Sequence, residues 1–318
     1  MHATPKFGIV ALAVSVCIVI AFYDIMCRIS GCCRMMCPGA EKIPVNLIRI
    51  IPAEEIKMNG LGSCCLTIAG SDSGGNAGVQ ADLRTFHAYG IHGCTVFTAL
   101  TAQNPNEVSN VHCVPADFVS SQLDAVFDVY NIAALKTGML AGSSVVEAVA
   151  EKLAAHKEIF KVVDPVMIAT SGATLADKDA VASLKKHLLP LADIITPNIP
   201  EAEELAGITI RCDLDIREAA RRLNGEYGVA VLVKGGHAGR TFVEDVLFDG
   251  AEFTAYAMPR IIYPVSVHGT GCTLAAAIAA EFALGRSLKD AVAGAKRYVH
   301  HAIKSSYIVG ENCGVLGF

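Results

Sequence analysis

The chain has 318 residues, 53% of them hydrophobic and 18% charged, so it can build one large α/β domain or two small ones around a substantial core. A formal net charge of −5 argues against nucleic acid as a partner.

From Phe7 to Tyr23 the chain runs 17 residues without a charge, the lower limit for crossing a bilayer. Lys6 precedes this run, and Arg28, Arg34, Lys42 and Arg49 follow it, a bias that puts the rest of the chain in the cytoplasm. Ile29-Ser30-Gly31-Cys32 has the form of a lipoprotein cleavage box, but Asp24 and Arg28 interrupt the apolar stretch before it. Three readings of residues 1–57 stand: a dispensable extension with Met58 as the true start, a membrane anchor, or a cleaved signal. Five of the 12 cysteines (Cys17, Cys27, Cys32, Cys33 and Cys37) lie here, with no Cys-x-x-Cys spacing and no following His, which argues against zinc. The remaining cysteines are scattered and read as reduced, buried cytosolic thiols, Cys272 excepted.

Residues 58–318 read as one domain, separate from this segment. Cys65-Leu66-Thr67-Ile68-Ala69 reads as a buried strand, Gly70–Asp82 as a glycine-rich turn, and the pattern that follows, ending near Tyr89, as a helix. Strand, glycine turn and helix in that order make the usual setting of a ligand-binding loop in an α/β sheet. The turn is not Gly-x-Gly-x-x-Gly and lacks the Gly-Lys-Ser/Thr ending of a P-loop, so neither the dinucleotide nor the P-loop reading is supported. A strand over Val96–Ala102 ends at Gln103. Helical patterns around 116–129, 143–156, 177–188, 214–226, 271–284 and 287–305 alternate with apolar runs at Leu135, Val162-Val163, Ile194-Ile195 and Val229–Val233. This alternation predicts a mostly parallel sheet with helices on both faces. Thr241–Leu247 and Glu252–Met258, split by Asp249-Gly250, read as a hairpin.

His268-Gly269-Thr270-Gly271-Cys272-Thr273-Leu274 leads straight into an alanine-rich run. The glycines allow a tight turn and the alanines start a helix. The first amides of that helix have no partner inside it and carry the positive end of its dipole, a site for an anion such as a phosphate in transfer. Cys272 faces the same point, and a helix amino terminus is expected to lower its pKa. A merely structural thiol is the other reading.

Asn198 and Glu201, three apart at a strand end, either cap the helix opened by Pro200 or face a metal together. Asp164 and Lys234 each follow an apolar strand, where open α/β sheets bind ligands. A Lys there can reach a phosphate. His237 reads equally as a nucleotide contact or a surface residue.

Taken in order, Thr67–Asp72, Ala77–Asp82, Thr98–Asn104, Lys136–Leu140, Val163–Met167, Thr196–Glu203, Val233–His237 and the His268 segment resemble the hydroxymethylpyrimidine/phosphomethylpyrimidine kinases of thiamine biosynthesis, within the ribokinase-like superfamily. The resemblance implies a three-layer α/β sandwich and an ATP- and Mg2+-dependent kinase. It implies Cys272 as the base, where most of the superfamily has Asp, in an anion hole of Gly269, Thr270 and Gly271. It implies Gln103 as the reader of an aminopyrimidine, which its amide suits because it both donates and accepts. Gly70, Ala77, Met139 and Val166 would line the ring. Asp82 is either a substrate-side hydrogen-bond partner or an exposed charge. Asn198, Asp164 and Lys234 would meet the phosphates, and Glu201 and Asp164 would hold Mg2+ through water. The expected substrate is a small pyrimidine and the expected assembly a homodimer. Pyridoxal/pyridoxine kinase is the close alternative; a non-catalytic, membrane-tethered pyrimidine-binding module is the distant one. Two departures stand out: Ser73 replaces the family's Pro and Asn76 joins the same turn, and Ser266-Val267 replaces the usual Asn-Thr.

Overall fold

The computed structural model describes residues 63–167, 178–235, 241–262, 266–309 and 313–318. Residues 1–57, with the apolar segment 7–23, and His237 lie outside them. Contacts divide the chain into Met1–Met58 and Asn59–Phe318, and every described element belongs to the second unit.

In chain order the elements are β1 (Cys64–Asp72), α1 (Gly78–Ala88), β2 (His92–Gln103), β3 (Val108–Cys113), α2 (Ala116–Phe127), β4 (Ile132–Thr137), α3 (Ser143–Ala154), β5 (Phe160–Val163), α4 (Lys178–Ser183), β6 (Ile194–Ile195), α5 (Ile199–Ala206), α6 (Asp213–Tyr227), β7 (Ala230–Val233), β8 (Phe242–Phe248), β9 (Phe253–Pro259), β10 (Ser266–Val267), α7 (Thr270–Ala283), α8 (Leu288–Lys304), β11 (Tyr307–Val309) and β12 (Cys313–Val315). Nine strands form one sheet in the order β3-β2-β1-β4-β5-β6-β7-β8-β9. The six from β2 to β7 run parallel, and β3, β8 and β9 add antiparallel edges. The hairpin β8–β9 turns at Asp249-Gly250 as expected, with the Asp249 carboxylate accepting the Ala251 and Glu252 amides at 2.9 Å each.

Strand side chains alternate between faces, and the core follows that period. Leu66, Ile68, Leu135, Val163 and Ile195 join one apolar cluster with α2, α3, α5 and α6. Cys65, Ala134, Val162, Ile194 and Leu232 join a second with Phe86 of α1 and with α7 and α8. The result is a three-layer α/β sandwich. Helix α7 buries Thr273 to Ala280, a run that is apolar except for Thr273 and mostly alanine, small enough for close packing.

The sheet positions the site. From β1 the chain crosses to β2 on one side, whereas β4 lies on the other side of β1. The strand order therefore reverses between β1 and β4, and a crevice opens beyond their carboxyl ends. A smaller sheet, β10-β12-β11, pins the entry to α7: the His268 amide donates to the Gly314 carbonyl at 3.4 Å. Two cysteines depart from the expected burial. Cys113, on edge strand β3, and Cys212, before α6, are exposed, while Cys64, Cys65 and Cys94 are buried in β1 and β2.

Candidate active site

The first glycine turn is organised by Asp72, at the end of β1. Its carboxylate accepts the amides of Gly74 at 2.8 Å and of Asn76 and Ala77 at 2.9 Å each, which curls the loop over the strand. Gly78 then takes φ +59°, and a Cβ there would sit 2.3 Å from the Gly70 carbonyl oxygen, so no other residue fits. The second glycine turn packs against the first. Gly269 has φ +82°, and a Cβ on it would lie 2.0 Å from the Asn76 carbonyl oxygen.

Helix α7 starts at that contact without a side-chain cap. Its first amides, those of Thr270, Gly271 and Cys272, have no acceptor within the helix. A Cβ on Gly271 would lie 3.4 Å from Lys234 Nζ and 3.8 Å from Asp164 Oδ2, so the open amides, one ammonium and one carboxylate surround the same point. Cys272 lies beside these amides, within electrostatic reach of the Gly78 amide. Its pKa departs from expectation. Burial raises the thiol above its ordinary value, and the nearby Lys136 ammonium and the Gly78 amide offset this only in part.

Lys234, just after β7, donates to Asp164 Oδ1 at 2.7 Å and lies 4.0 Å from Glu201 Oε2. Burial works against its charge, but the Asp164 and Glu201 carboxylates outweigh it and hold its pKa above the ordinary value. Asp164 Oδ1 also accepts the Thr196 hydroxyl at 2.9 Å. Asn198 and Glu201 cap α5 reciprocally: the Asn198 side chain accepts the Glu201 amide at 2.9 Å, and the Glu201 carboxylate accepts the Asn198 amide at 2.8 Å. Both also line the cavity, so capping and facing a ligand are not exclusive. Burial lifts the Glu201 carboxyl to about 7, against the pull of Lys234. Among the described residues no three His, Cys, Asp or Glu side chains cluster as a metal cage.

These groups share one cavity of about 620 Å³. Its wall includes Gly70, Ala77, Gln103, Met139 and Val166 together with Asn198, Glu201, Asp164, Lys234 and Gly269 to Cys272. Asp82 is the exception among the expected residues. It is fully buried beneath the wall and is neither exposed nor facing the cavity, because Thr67 Oγ1 at 2.6 Å and Lys136 Nζ at 2.9 Å hold its carboxylate. The geometry also brings in residues that sequence reasoning passed over. Asp72 shapes the first turn. Asp245 on β8 and Lys296 on α8 pair at 2.7 Å at the cavity wall, where Asp245 also accepts the Gly235 amide at 2.9 Å. A sequence signal for Lys296 exists: it falls on the apolar face of Val292, Ala295 and Val299.

Residues 72–317 match the family model described as phosphomethylpyrimidine kinase. A thiamine biosynthesis bifunctional protein of Geobacter sulfurreducens is 50% identical over 78% of the chain, and the match spans 51% of that protein, about half its length. A hydroxymethylpyrimidine/phosphomethylpyrimidine kinase of Haemophilus influenzae is 45% identical over 78% of this chain and 94% of its own. Among solved structures, an ADP complex of Bacillus subtilis pyridoxal kinase superposes with a TM-score of 0.73 at 34% identity, covering 80% of this chain and 96% of that one. With the fold, the two abutting glycine turns and these similarities in agreement, the chain belongs to the phosphomethylpyrimidine kinase family.

Proposed function

We propose that this chain transfers the terminal phosphoryl group of ATP to the hydroxymethyl oxygen of 4-amino-5-hydroxymethyl-2-methylpyrimidine, and then phosphorylates the monophosphate to the diphosphate used in thiamine biosynthesis. The observation that carries this reading is the meeting of the α7 amides, Cys272, Lys234 and Asp164 at one point of the cavity that also holds Gln103. The names of the bacterial relatives support the substrate, and the ADP complex of the structural neighbour supports the nucleotide.

Gln103 reads the ring through an amide that accepts from an exocyclic amine and donates to a ring nitrogen. Gly70 and Ala77 leave room for a flat ring, and Met139 and Val166 give it apolar contact. Cys272, acting as its thiolate, takes the hydroxyl proton as the oxygen bonds to phosphorus, and the bond from phosphorus to ADP breaks with its electron pair left on ADP. The amides of Thr270 to Cys272 and the Lys234 ammonium hold the charge on the phosphoryl oxygens. Asp164 and Glu201 fit as acceptors for the water shell of Mg2+, being two hard oxygen donors beside the phosphate position. When bound, Mg2+ supplies shielding of the triphosphate charge.

The test is ADP release by the full chain with the pyrimidine, its monophosphate and pyridoxal in parallel. Turnover of both pyrimidines above pyridoxal supports the reading; turnover of pyridoxal alone replaces it with pyridoxal kinase. Light scattering on the same sample measures the expected homodimer.

A further inference from the structure

Strand β2 ends in Thr101-Ala102-Gln103, and both Thr101 and Gln103 line the cavity. Thr101 is buried, and its Oγ1 lies 2.8 Å from the Ser71 carbonyl oxygen on β1. The same Oγ1 lies 3.1 Å from Oε1 of the Gln103 carboxamide. The Gln103 backbone is fixed on both sides, since its amide donates to the Ser73 hydroxyl and its carbonyl accepts from it. Only the side chain is left to turn. Among the described residues, Thr101 is the one hydrogen-bond partner of its carboxamide.

A hydroxyl has one proton to donate and two lone pairs to accept with. Thr101 Oγ1 has an oxygen on each side, and one proton cannot serve both. The separation of 2.8 Å to Ser71 is ordinary for O–H···O. The separation of 3.1 Å to Gln103 is long for O–H···O and ordinary for N–H···O. The proton therefore goes to Ser71, and Oγ1 offers the carboxamide lone pairs only. The two ends of a carboxamide are told apart by the bonds they make.

We propose that Thr101 is a positioning residue for substrate specificity: Gln103 turns its amide nitrogen to the Thr101 hydroxyl, in the place of Oε1, and Thr101 thereby fixes the order of donor and acceptor shown to the ring. One N–H is spent on Thr101. The other N–H and the carbonyl oxygen are left for a ligand, with the donor on the Thr101 side. That order matches a ring nitrogen next to an exocyclic amine, as on a 4-aminopyrimidine. A 4-oxo ring carries an N–H next to a carbonyl, so in the same pose donor meets donor and acceptor meets acceptor. The inference rests on the proposed reading that Gln103 contacts the pyrimidine.

The experiment measures binding to the full chain by calorimetry, without ATP. The ligands are 4-amino-5-hydroxymethyl-2-methylpyrimidine and its 4-oxo analogue. Wild type is expected to bind the 4-amino ring roughly tenfold or more tighter than the 4-oxo ring. T101V keeps the side-chain shape but has no hydroxyl, so the carboxamide is free to turn either way. It is expected to bring the two affinities within about threefold of each other, while T101S keeps the wild-type preference. A merely structural role, through the Ser71 carbonyl, would weaken both ligands alike and leave the preference unchanged. T101A, which removes the hydroxyl without crowding, is read in place of T101V if circular dichroism shows T101V unfolded. An unchanged preference in the folded variant, or no preference in wild type, overturns the proposal. A wild-type chain that binds neither ring overturns the proposed function itself, and this inference with it.

Discussion

Ser73 and Gln103 are joined twice: the Ser73 hydroxyl donates to the Gln103 carbonyl at 2.7 Å and accepts the Gln103 amide at 2.8 Å. The first glycine turn is thereby fastened to the end of β2, at the residue proposed to read the ring. A residue without a hydroxyl at this position could not make the bridge. Ser73→Ala is expected to raise the KM for the pyrimidine roughly threefold to tenfold, the scale of one or two net hydrogen bonds. The KM for ATP should not change. Equal changes in both would show that the bridge serves general stability and not ring placement.

Gln103 itself is the sharper test of ring recognition. Its side chain lines the cavity wall, with the carboxamide 3.1 Å from the Thr101 hydroxyl oxygen. Gln103→Leu is expected to weaken pyrimidine binding by about 1–3 kcal/mol, because polar ring atoms lose their partner. Steady-state kinetics with saturating ATP measures this. A pyrimidine KM within twofold of wild type would assign ring reading to another residue.

Cys272→Ala is expected to lower kcat by roughly 10²-fold or more, the usual scale for loss of a general base. Pyrimidine KM should move little, since the cavity wall is otherwise intact. A kcat near wild type would leave the α7 amides and Lys234 as the main contributors to the chemistry.

Glu201 gives a pH signature of stability. Its carboxyl stands at about 7 in the folded chain against an ordinary 4.5, so the folded state binds this proton more tightly than the unfolded state. Below 4.5 both states hold it; as pH rises from there through about 7, the folded state loses stability relative to the unfolded. Glu201→Gln keeps an acceptor for the Asn198 amide and removes the titration. The variant is expected to gain on wild type by an order of 1–3 kcal/mol between pH 5 and 8, read from urea melts in Mg2+-free buffer. Parallel stability curves across that range would mean that Glu201 titrates normally.

Much of this site was legible because its residues sit where chemistry and chain punctuation coincide. Gln103 ends a strand, Asp164, Asn198 and Lys234 each follow one, and Cys272 follows a glycine pair at a helix start. What escaped was set by three-dimensional surroundings. The helix start at Cys272 is written in the sequence, but the desolvation that raises its thiol is not. Asp82 looked exposed or substrate-facing because its partner, Lys136, is 54 residues away on another element. Strand β3, Val108-Ser109-Asn110-Val111-His112-Cys113, lacks an apolar alternation because most of this edge strand faces water. The small sheet β10-β12-β11 is built from segments of two or three residues, too short to carry a period.

The division of the chain is the last expectation to test. Every residue placed in the cavity wall lies beyond Ser63, and the compact unit begins at Asn59. A chain that starts at Met58 is therefore expected to fold and to phosphorylate the pyrimidine with the kinetics of the full chain. Among the described residues no helix is long and apolar enough to cross a membrane, so membrane association of the full chain is expected to map to residues 7–23. Fractionation of cells expressing each form, followed by alkaline carbonate extraction, measures it. Full-length protein retained in the carbonate pellet, with the Met58 form in the supernatant, identifies an anchor. Both forms in the supernatant favour a dispensable extension. A Met58 form that is folded by circular dichroism but inactive would overturn the division, because the first 57 residues would then take part in the site.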